Sequence, residues 1–202
     1  MIKTLIHRLK DQLTQSGNPV WVYLNYDEKF IPDDLTHSLK LYGLEQLEDL
    51  YMMYEQIPGM DSNLIYLPKI GYKVCYFGSP IFYKDAIKLH GTLCMREENI
   101  YKYRFLPIFL SLVLGLSAPI LIDLAPKSKT FGMVYYDSPA TGITPPITIY
   151  DSLEKLFETI VTCYDQNVYT VTEQFILNCD EEKEIEIAAT LNPKAAFWRK
   201  RV

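Results

Sequence analysis

Residues 105–122 read FLPIFLSLVLGLSAPILI, a stretch without a single charge that runs directly into Asp123. About 20 apolar residues are enough to cross a bilayer as a helix, so length alone would allow a membrane span. Pro107, Gly115 and Pro119 argue against one continuous helix, because proline removes a backbone hydrogen bond and its ring clashes with the preceding turn. The stretch therefore predicts two buried β-strands joined by a short turn containing glycine and serine, and no membrane insertion.

The composition is that of an ordinary globular protein. The chain has 202 residues, of which 49% are hydrophobic and 22% are charged, and this length suits one domain. Twenty Lys and Arg stand against 25 Asp and Glu, which leaves a net charge of −5. Because a negative field repels phosphate backbones, direct nucleic-acid binding is disfavoured, whereas an acidic surface can attract a basic protein partner.

Patterns of both helices and strands occur along the chain. Helices are predicted from apolar spacing and capping residues at 2–15, 31–43, 44–57, 151–164 and 180–191. Further predictions are strands at 20–24 and 131–136, a strand or helical segment at 170–177, a loop at 139–146 and a short lead-in at 147–150. Between residues 60 and 104, short apolar runs do not distinguish strand from helix. The pattern predicts an α+β fold, with helices packed on a mostly antiparallel or mixed sheet.

Few residues carry recognisable chemistry. His90 and Cys94 form the one local pair with metal-like spacing, but structural zinc usually needs four Cys or His ligands, so the pair is interpreted as chance neighbours. The sequence contains no nucleophile elbow and no glycine-rich nucleotide-binding motif. We therefore predict no catalytic residue, no cofactor and no metal site, and the sequence does not identify the partner-binding residues.

The four cysteines indicate a reducing environment. They are widely spaced, form no C-x-x-C pair and accompany no recognisable secretory signal, so reduced thiols and a cytoplasmic location are expected. Cys163 lies among apolar residues of a predicted helix. It is expected to act as a small buried hydrophobe.

Two sets of acidic residues could belong to an enzyme. Asp123 ends an apolar strand, and we expect it to cap a turn or to accept backbone hydrogen bonds rather than to act in catalysis. Glu97 and Glu98 are adjacent, as exposed surface acids usually are. A hydrolase that uses Glu97, Glu98 or Asp123 as paired carboxylates is the enzymatic alternative.

Several stretches together resemble the SUKH superfamily. Its central signature is an aromatic-Leu-Pro-Ile strand, a glycine, an apolar strand ending in Asp-Leu-x-Pro, and a glycine before another strand. The matching positions are residues 105–108, Gly115, residues 120–126 and residues 132–134. Further similar segments are residues 31–35 leading to 41–43, residues 150–157, and residues 191–193 with Phe197 and Trp198. The resemblance implies one SUKH-like domain over residues 1–202, with a helix and strand elaboration at 1–30 and a divergent or inserted region at 44–104.

This superfamily includes fungal regulators of cell-wall glucan synthesis and many bacterial immunity proteins. The resemblance implies a non-enzymatic cytoplasmic immunity protein that neutralises a polymorphic or contact-delivered toxin, such as a nuclease. Its partner would be a toxin domain, and homodimer formation stays open. An acidic chain with 16 tyrosines suits such a partner, because nuclease toxins are basic where they meet phosphate and tyrosines provide large contacts. A scaffold that regulates cell-wall synthesis is the alternative among binding proteins.

Overall fold

The computed structural model describes residues 1–18, 20, 48–57, 73–81, 83–96, 101, 104–113, 116–173 and 176–201. Its helices are α1 (Ile2–Gln15), α2 (Glu48–Gln56), α3 (Tyr83–Arg96), α4 (Leu153–Asp165), α5 (Glu181–Leu191) and α6 (Ala196–Arg199). Its strands are β1 (Ser79–Pro80), β2 (Phe105–Val113), β3 (Leu116–Asp123), β4 (Val134–Ser138), β5 (Ile143–Tyr150), β6 (Tyr169–Val171) and β7 (Leu177–Cys179). Strands β1 to β5 form one antiparallel sheet in that order, and β6 pairs with β7. The predicted α+β class with an antiparallel sheet is therefore confirmed.

The uncharged stretch forms the two strands β2 and β3, as predicted. They pair from Phe105 opposite Asp123 onwards, and the register shifts just after Pro107. A register shift is one of the places where a sheet tolerates the missing N–H of proline. β4 pairs with β3 at residues 120–122, and Pro119 lies just outside these pairs. The missing N–H of Pro119 therefore removes no hydrogen bond between β3 and β4.

Both faces of the sheet are covered. Ile120 and Ile122 of β3 belong to the main hydrophobic core, which includes α1, α4 and α6. Leu121, between them, points to a second cluster that contains Leu93 of α3 and Tyr135 of β4. Side chains of a strand alternate between its two faces, so a strand buried on both sides reads as a continuous apolar run. This is why residues 105–122 carry no polar alternation.

Local signals placed the ends of several helices correctly. The Ser152 side chain accepts a hydrogen bond from the backbone N–H of Lys155 and begins α4. Asp180 caps α5 in the same way through the N–H of Lys183. Leu9 and Leu13 belong to the buried stripe of α1. The helices predicted at 2–15, 151–164 and 180–191 are confirmed, and that at 44–57 is confirmed over Glu48–Gln56.

The loop predicted at 139–146 was wrong, and the strand predicted at 131–136 is found with different bounds. Residues 139–146 do not form a loop, because Pro139–Thr141 is a short 3-10 helix and β5 begins at Ile143. Pro145 and Pro146 are compatible with a strand here because β5 is an edge strand and because both lie in the register shift between the pairs made by Ile143 and Ile147. The strand predicted at 131–136 begins only at Val134, after a turn.

The region around residue 20 also differs from its prediction. Val20 is helical, although a strand was predicted at 20–24. Its backbone N–H donates to the Asn18 side chain at 2.9 Å, which is the geometry of a helix N-cap. Asn followed by Pro is itself a helix-start signal in the sequence, which the strand prediction did not use. Within the segment predicted at 170–177, residues 170–171 belong to β6 and Leu177 begins β7, and these two strands pair. The ambiguity between strand and helix is resolved at 83–96, which form α3.

Some predictions lie outside the described residues. They are the helix at 31–43, residues 21–24 of the predicted strand, the apolar run at 64–67, and the acidic pair Glu97 and Glu98. Among the helices of the described ranges, none combines the length and the apolar character that a bilayer crossing requires.

Candidate functional site

Asp123 is fully buried and bonded on both carboxylate oxygens. Its Oδ1 accepts the backbone N–H of Ala125 at 3.0 Å. Its Oδ2 accepts hydroxyl hydrogen bonds from Ser128 at 2.9 Å and from Thr130 at 2.7 Å, and pairs with the Arg104 guanidinium at 3.2 Å. The turn that follows β3 is thus tied to the strand end by one carboxylate. The predicted backbone hydrogen bond is confirmed.

A second buried carboxylate, Asp137, was not singled out from the sequence. Its two oxygens accept hydrogen bonds from the Tyr101 hydroxyl at 2.7 Å and the Thr144 hydroxyl at 2.9 Å. These contacts join β4 to β5 and to Tyr101, which belongs to the second hydrophobic cluster. Neutral donors on both oxygens compensate for the burial of the carboxylate. Asp137 therefore also has a structural environment.

The third buried carboxylate is Glu184 on α5, which is 2% exposed. The Tyr169 hydroxyl donates to one of its oxygens, and the Cys179 thiol lies 3.1 Å from the other. Burial raises the pKa of Glu184, while the hydrogen bonds from Tyr169 and Cys179 oppose this rise. Glu181, Glu182 and Glu186 on the same helix are exposed, so only the helix period separates this inward-facing residue from its acidic neighbours.

Two thiols next to this carboxylate are buried. Cys75 and Cys163 have no exposed surface, and burial, reinforced by the charge of Glu184, raises the pKa of Cys75 to about 12. The pKa of Cys163 is raised for the same reasons. Both thiols stay protonated at neutral pH. The prediction that Cys163 is a small buried hydrophobe is confirmed.

His90 and Cys94 face each other on α3. The Cys94 Sγ lies 3.4 Å from the His90 Nε2, and the His90 Nδ1 lies 2.6 Å from the Phe105 carbonyl oxygen. The sequence interpretation as chance neighbours missed this contact, because it requires knowing that residues 83–96 are helical. Within the described ranges, no three His, Cys, Asp or Glu side chains are grouped so as to hold a metal ion.

The described surface carries a concentration of exposed acids at the start of α5. We call Asp180, Glu181, Glu182 and Glu186 the α5 acidic face, since all four side chains are exposed. Lys183 lies among them and pairs with Asp180 at 3.1 Å. Four carboxylates with one lysine leave this face strongly negative. Acidic side chains are also favourable in the first turn of a helix, where backbone N–H groups are unpaired. The same residues therefore stabilise α5 and make its surface negative.

An exposed tyrosine lies beside this face. Tyr76 is 38% exposed and packs edge-on against Phe77, with ring centroids 5.3 Å apart. The backbone N–H of Tyr76 lies 3.5 Å from the Tyr169 hydroxyl, which itself donates to Glu184 of α5. Burial raises the pKa of Tyr76, the charge of Glu181 raises it further, and the charge of Arg201 opposes this rise. The β6–β7 hairpin, which leads directly into α5, exposes half of Ile176. Tyrosine is among the residues that are enriched at protein recognition surfaces.

Comparison with protein-family models and with curated proteins found no match to this chain. The resemblance to the SUKH superfamily therefore stays a prediction.

Proposed function

We propose that this chain is a non-enzymatic protein-binding module, a cytoplasmic immunity protein that neutralises a basic toxin domain through the α5 acidic face and Tyr76. The observation that carries the proposal is the exposed negative surface at the start of α5, which has an accessible tyrosine beside it. The proposal also rests on the resemblance to the SUKH superfamily.

The hydrogen bonds of the buried carboxylates support a binding role rather than a hydrolytic one. Asp123, Asp137 and Glu184 each accept hydrogen bonds on both oxygens from nearby side chains or backbone. A hydrolase with two carboxylates needs them to face each other across a substrate. These three belong instead to separate clusters that connect structural elements.

Charge complementarity supports a basic partner. Four exposed carboxylates on one short helix segment create a local field that speeds encounter with a positive surface and disfavours acidic competitors. Tyrosine contributes a large contact area at a low entropic cost and can donate a hydrogen bond from its hydroxyl. A nuclease is positive where it binds phosphate, so occupation of that site by an acidic surface would block it.

The direct test is co-expression of this chain with the toxin domain encoded beside its gene. We expect the chain to restore growth and to form a complex whose affinity falls as salt rises. The test variant reverses three charges of the α5 acidic face: Glu181→Lys, Glu182→Lys and Glu186→Lys. We expect it to lose at least about tenfold in affinity, equivalent to about 1.4 kcal/mol.

A matched control reverses three exposed acids on α1 and α2. It consists of Asp11→Lys, Glu48→Lys and Glu55→Lys. Both variants change the net charge equally and both alter the first turn of one helix, so a difference between them reports the position of the contact. Equal losses in the two variants would refute the assignment to α5. Absence of an adjacent toxin gene, together with a stable complex with wall-synthesis enzymes, would favour the scaffold role.

A further inference from the structure

The thiol–imidazole pair on α3 lies apart from the acidic surface and is independent of the proposed function. His90 and Cys94 are four residues apart, so a helix places them on one face, one turn from each other. The Cys94 Sγ is 3.4 Å from the His90 Nε2, and the ring is held on its other side by the Phe105 carbonyl at 2.6 Å. The arrangement contains a nucleophile, a base and a group that orients the base.

The backbone carbonyl determines the protonation of the imidazole. A carbonyl oxygen can only accept a hydrogen bond, so the His90 Nδ1 must carry a hydrogen to contact Phe105 at this distance. In the neutral ring the Nε2 is then the unprotonated nitrogen, which faces the Cys94 sulfur and can accept its hydrogen. Burial lowers the pKa of His90, with the Phe105 carbonyl opposing this, so the ring is neutral near pH 7 and able to act as a base.

We propose that His90 acts as a general base toward Cys94 and makes it the reactive thiol of this chain, a site of covalent modification by soft carbon electrophiles. The proton moves from the Cys94 sulfur to the His90 Nε2 as the sulfur forms a bond to the carbon. The leaving group departs with the electron pair of its own bond. The imidazolium that forms donates from Nδ1 to the Phe105 carbonyl, which stabilises it, and then returns its extra proton to solvent.

The other three thiols lack this combination. Cys75 and Cys163 are fully buried, and each has a raised thiol pKa. Cys179 is partly exposed, as Cys94 is, but its thiol lies 3.1 Å from a carboxylate oxygen of Glu184. Burial and then the charge of Glu184 raise the pKa of Cys179. Cys94 and Cys179 can therefore be compared within one chain, because both thiols are partly exposed. Cys94 faces the neutral imidazole of His90, and Cys179 faces the carboxyl group of Glu184.

Access to Cys94 is helped by the residue one turn before it. Gly91 occupies the position three residues earlier on α3, and a Cβ added there would meet nothing within 4 Å. Side chains three apart on a helix are neighbours, so a larger residue at 91 would flank the sulfur. The open space at Gly91 leaves a small reagent a route to the thiol.

The expected rate difference follows from thiol chemistry. An unperturbed thiol with a pKa near 8.5 is only about 3% thiolate at pH 7. General-base assistance typically contributes about a hundredfold or more, and helix fraying would reduce it in this partly exposed pair. We therefore expect Cys94 to react with iodoacetamide at least about tenfold faster than Cys179.

The test is limited alkylation of the folded protein with iodoacetamide, with each cysteine-containing peptide quantified by mass spectrometry. We expect Cys94 to be labelled first, Cys179 slowly, and Cys75 and Cys163 only after unfolding. In His90→Gln, which can still hydrogen-bond but cannot take the proton, the Cys94 rate should fall about tenfold. The Cys179 rate should stay unchanged in that variant, which shows that the fold has not opened.

Two outcomes would overturn the proposal. One is a Cys94 rate no faster than that of Cys179 in the native chain. The other is an unchanged Cys94 rate in His90→Gln. Glu184→Gln provides the reciprocal control, because it should speed Cys179 labelling and leave the Cys94 rate as it was. If His90→Gln raises the labelling of Cys75 and Cys163 as well, the same comparison is made with His90→Asn, and an unchanged Cys94 rate there again overturns the proposal.

Discussion

Among the glycines that the structure describes, Gly78 is the one at which an added methyl group should damage the fold most. It closes the turn that begins at Cys75, with a φ of +115°, and it lies against β2. A Cβ built there would be 2.1 Å from the Leu110 carbonyl oxygen and 2.6 Å from its carbon. Real Cβ atoms essentially never come within 3.0 Å of another heavy atom, so Gly78→Ala requires the turn and β2 to separate by about 0.9 Å.

The expected loss of unfolding free energy in Gly78→Ala has two parts, which variants at other glycines separate. A non-glycine residue held at positive φ costs on the order of 1–3 kcal/mol, and forcing a side chain into packed backbone costs typically about 1–3 kcal/mol more. We therefore expect Gly78→Ala to lose about 4 kcal/mol of unfolding free energy. Gly142, with a φ of +71° and nothing within 4 Å of an added Cβ, should lose only the conformational part, about 1–2 kcal/mol.

The assay is urea unfolding followed by circular dichroism, with the midpoint and slope fitted for each variant. Gly91→Ala completes the series, because it lies inside α3 in open space and should gain about 1 kcal/mol. The expected order of stability is Gly91→Ala, native chain, Gly142→Ala, Gly78→Ala. A Gly78→Ala variant as stable as Gly142→Ala would refute the close approach to Leu110. Failure of Gly78→Ala alone to fold would agree with it.

Three further predictions concern buried polar and aromatic groups. Asp123→Ala should lose about 3–5 kcal/mol of unfolding free energy in urea, because Arg104 and two hydroxyl groups lose their shared acceptor. The control Asp11→Ala removes an exposed carboxylate and should change the stability little. Equal losses in the two variants would contradict this prediction. The pKa of Glu184 is raised above 4.5, so its folded-state contribution is fully present below that pH and is lost as pH rises through the raised value. Stability of Glu184→Gln relative to the native chain should therefore increase from pH 4 to pH 7, and a flat difference would argue against a buried carboxylate. Trp198→Ala should lose about 3–5 kcal/mol of unfolding free energy, since the indole is buried and its Nε1 donates to a backbone carbonyl at 2.5 Å. The control is Lys200→Ala, which changes an exposed residue. A comparable loss in this control would show that the terminal segment itself is sensitive to substitution.

The helices were predictable where local chemistry marks them. Ser152 and Asp180 are each followed by an amphipathic pattern, and both side chains cap the helix that the pattern predicts. A cap and a helical stripe involve residues within one or two turns, so a single stretch of sequence contains the whole signal. The same signal was missed at Val20, because the prediction rested on apolar alternation and did not recognise Asn18 as a helix cap.

The buried carboxylates show why the candidate sites were harder to predict. Asp123 ends an apolar run, and that position alone suggested its hydrogen bond to a nearby N–H. Asp137 depends on the Tyr101 hydroxyl, which is 36 residues away in the chain. Glu184 is buried because α5 packs with that side inward, where Tyr169 and Cys179 supply its donors. No local pattern distinguishes these acids from solvated ones.

The sequence by itself determined that the stretch from Phe105 contains two strands, which are β2 and β3, because two prolines and a glycine disfavour one helix and because eighteen uncharged residues favour burial. It also determined the α+β class and the net negative charge. Only the tertiary structure decided that the sheet is covered on both faces and that β5 is an edge strand, which can contain two prolines. It also decided that a carbonyl of β2 orients the His90 imidazole. The physical reason is range: turns, caps and periodicity act between neighbouring residues, whereas burial, edges and paired side chains depend on which distant segments meet.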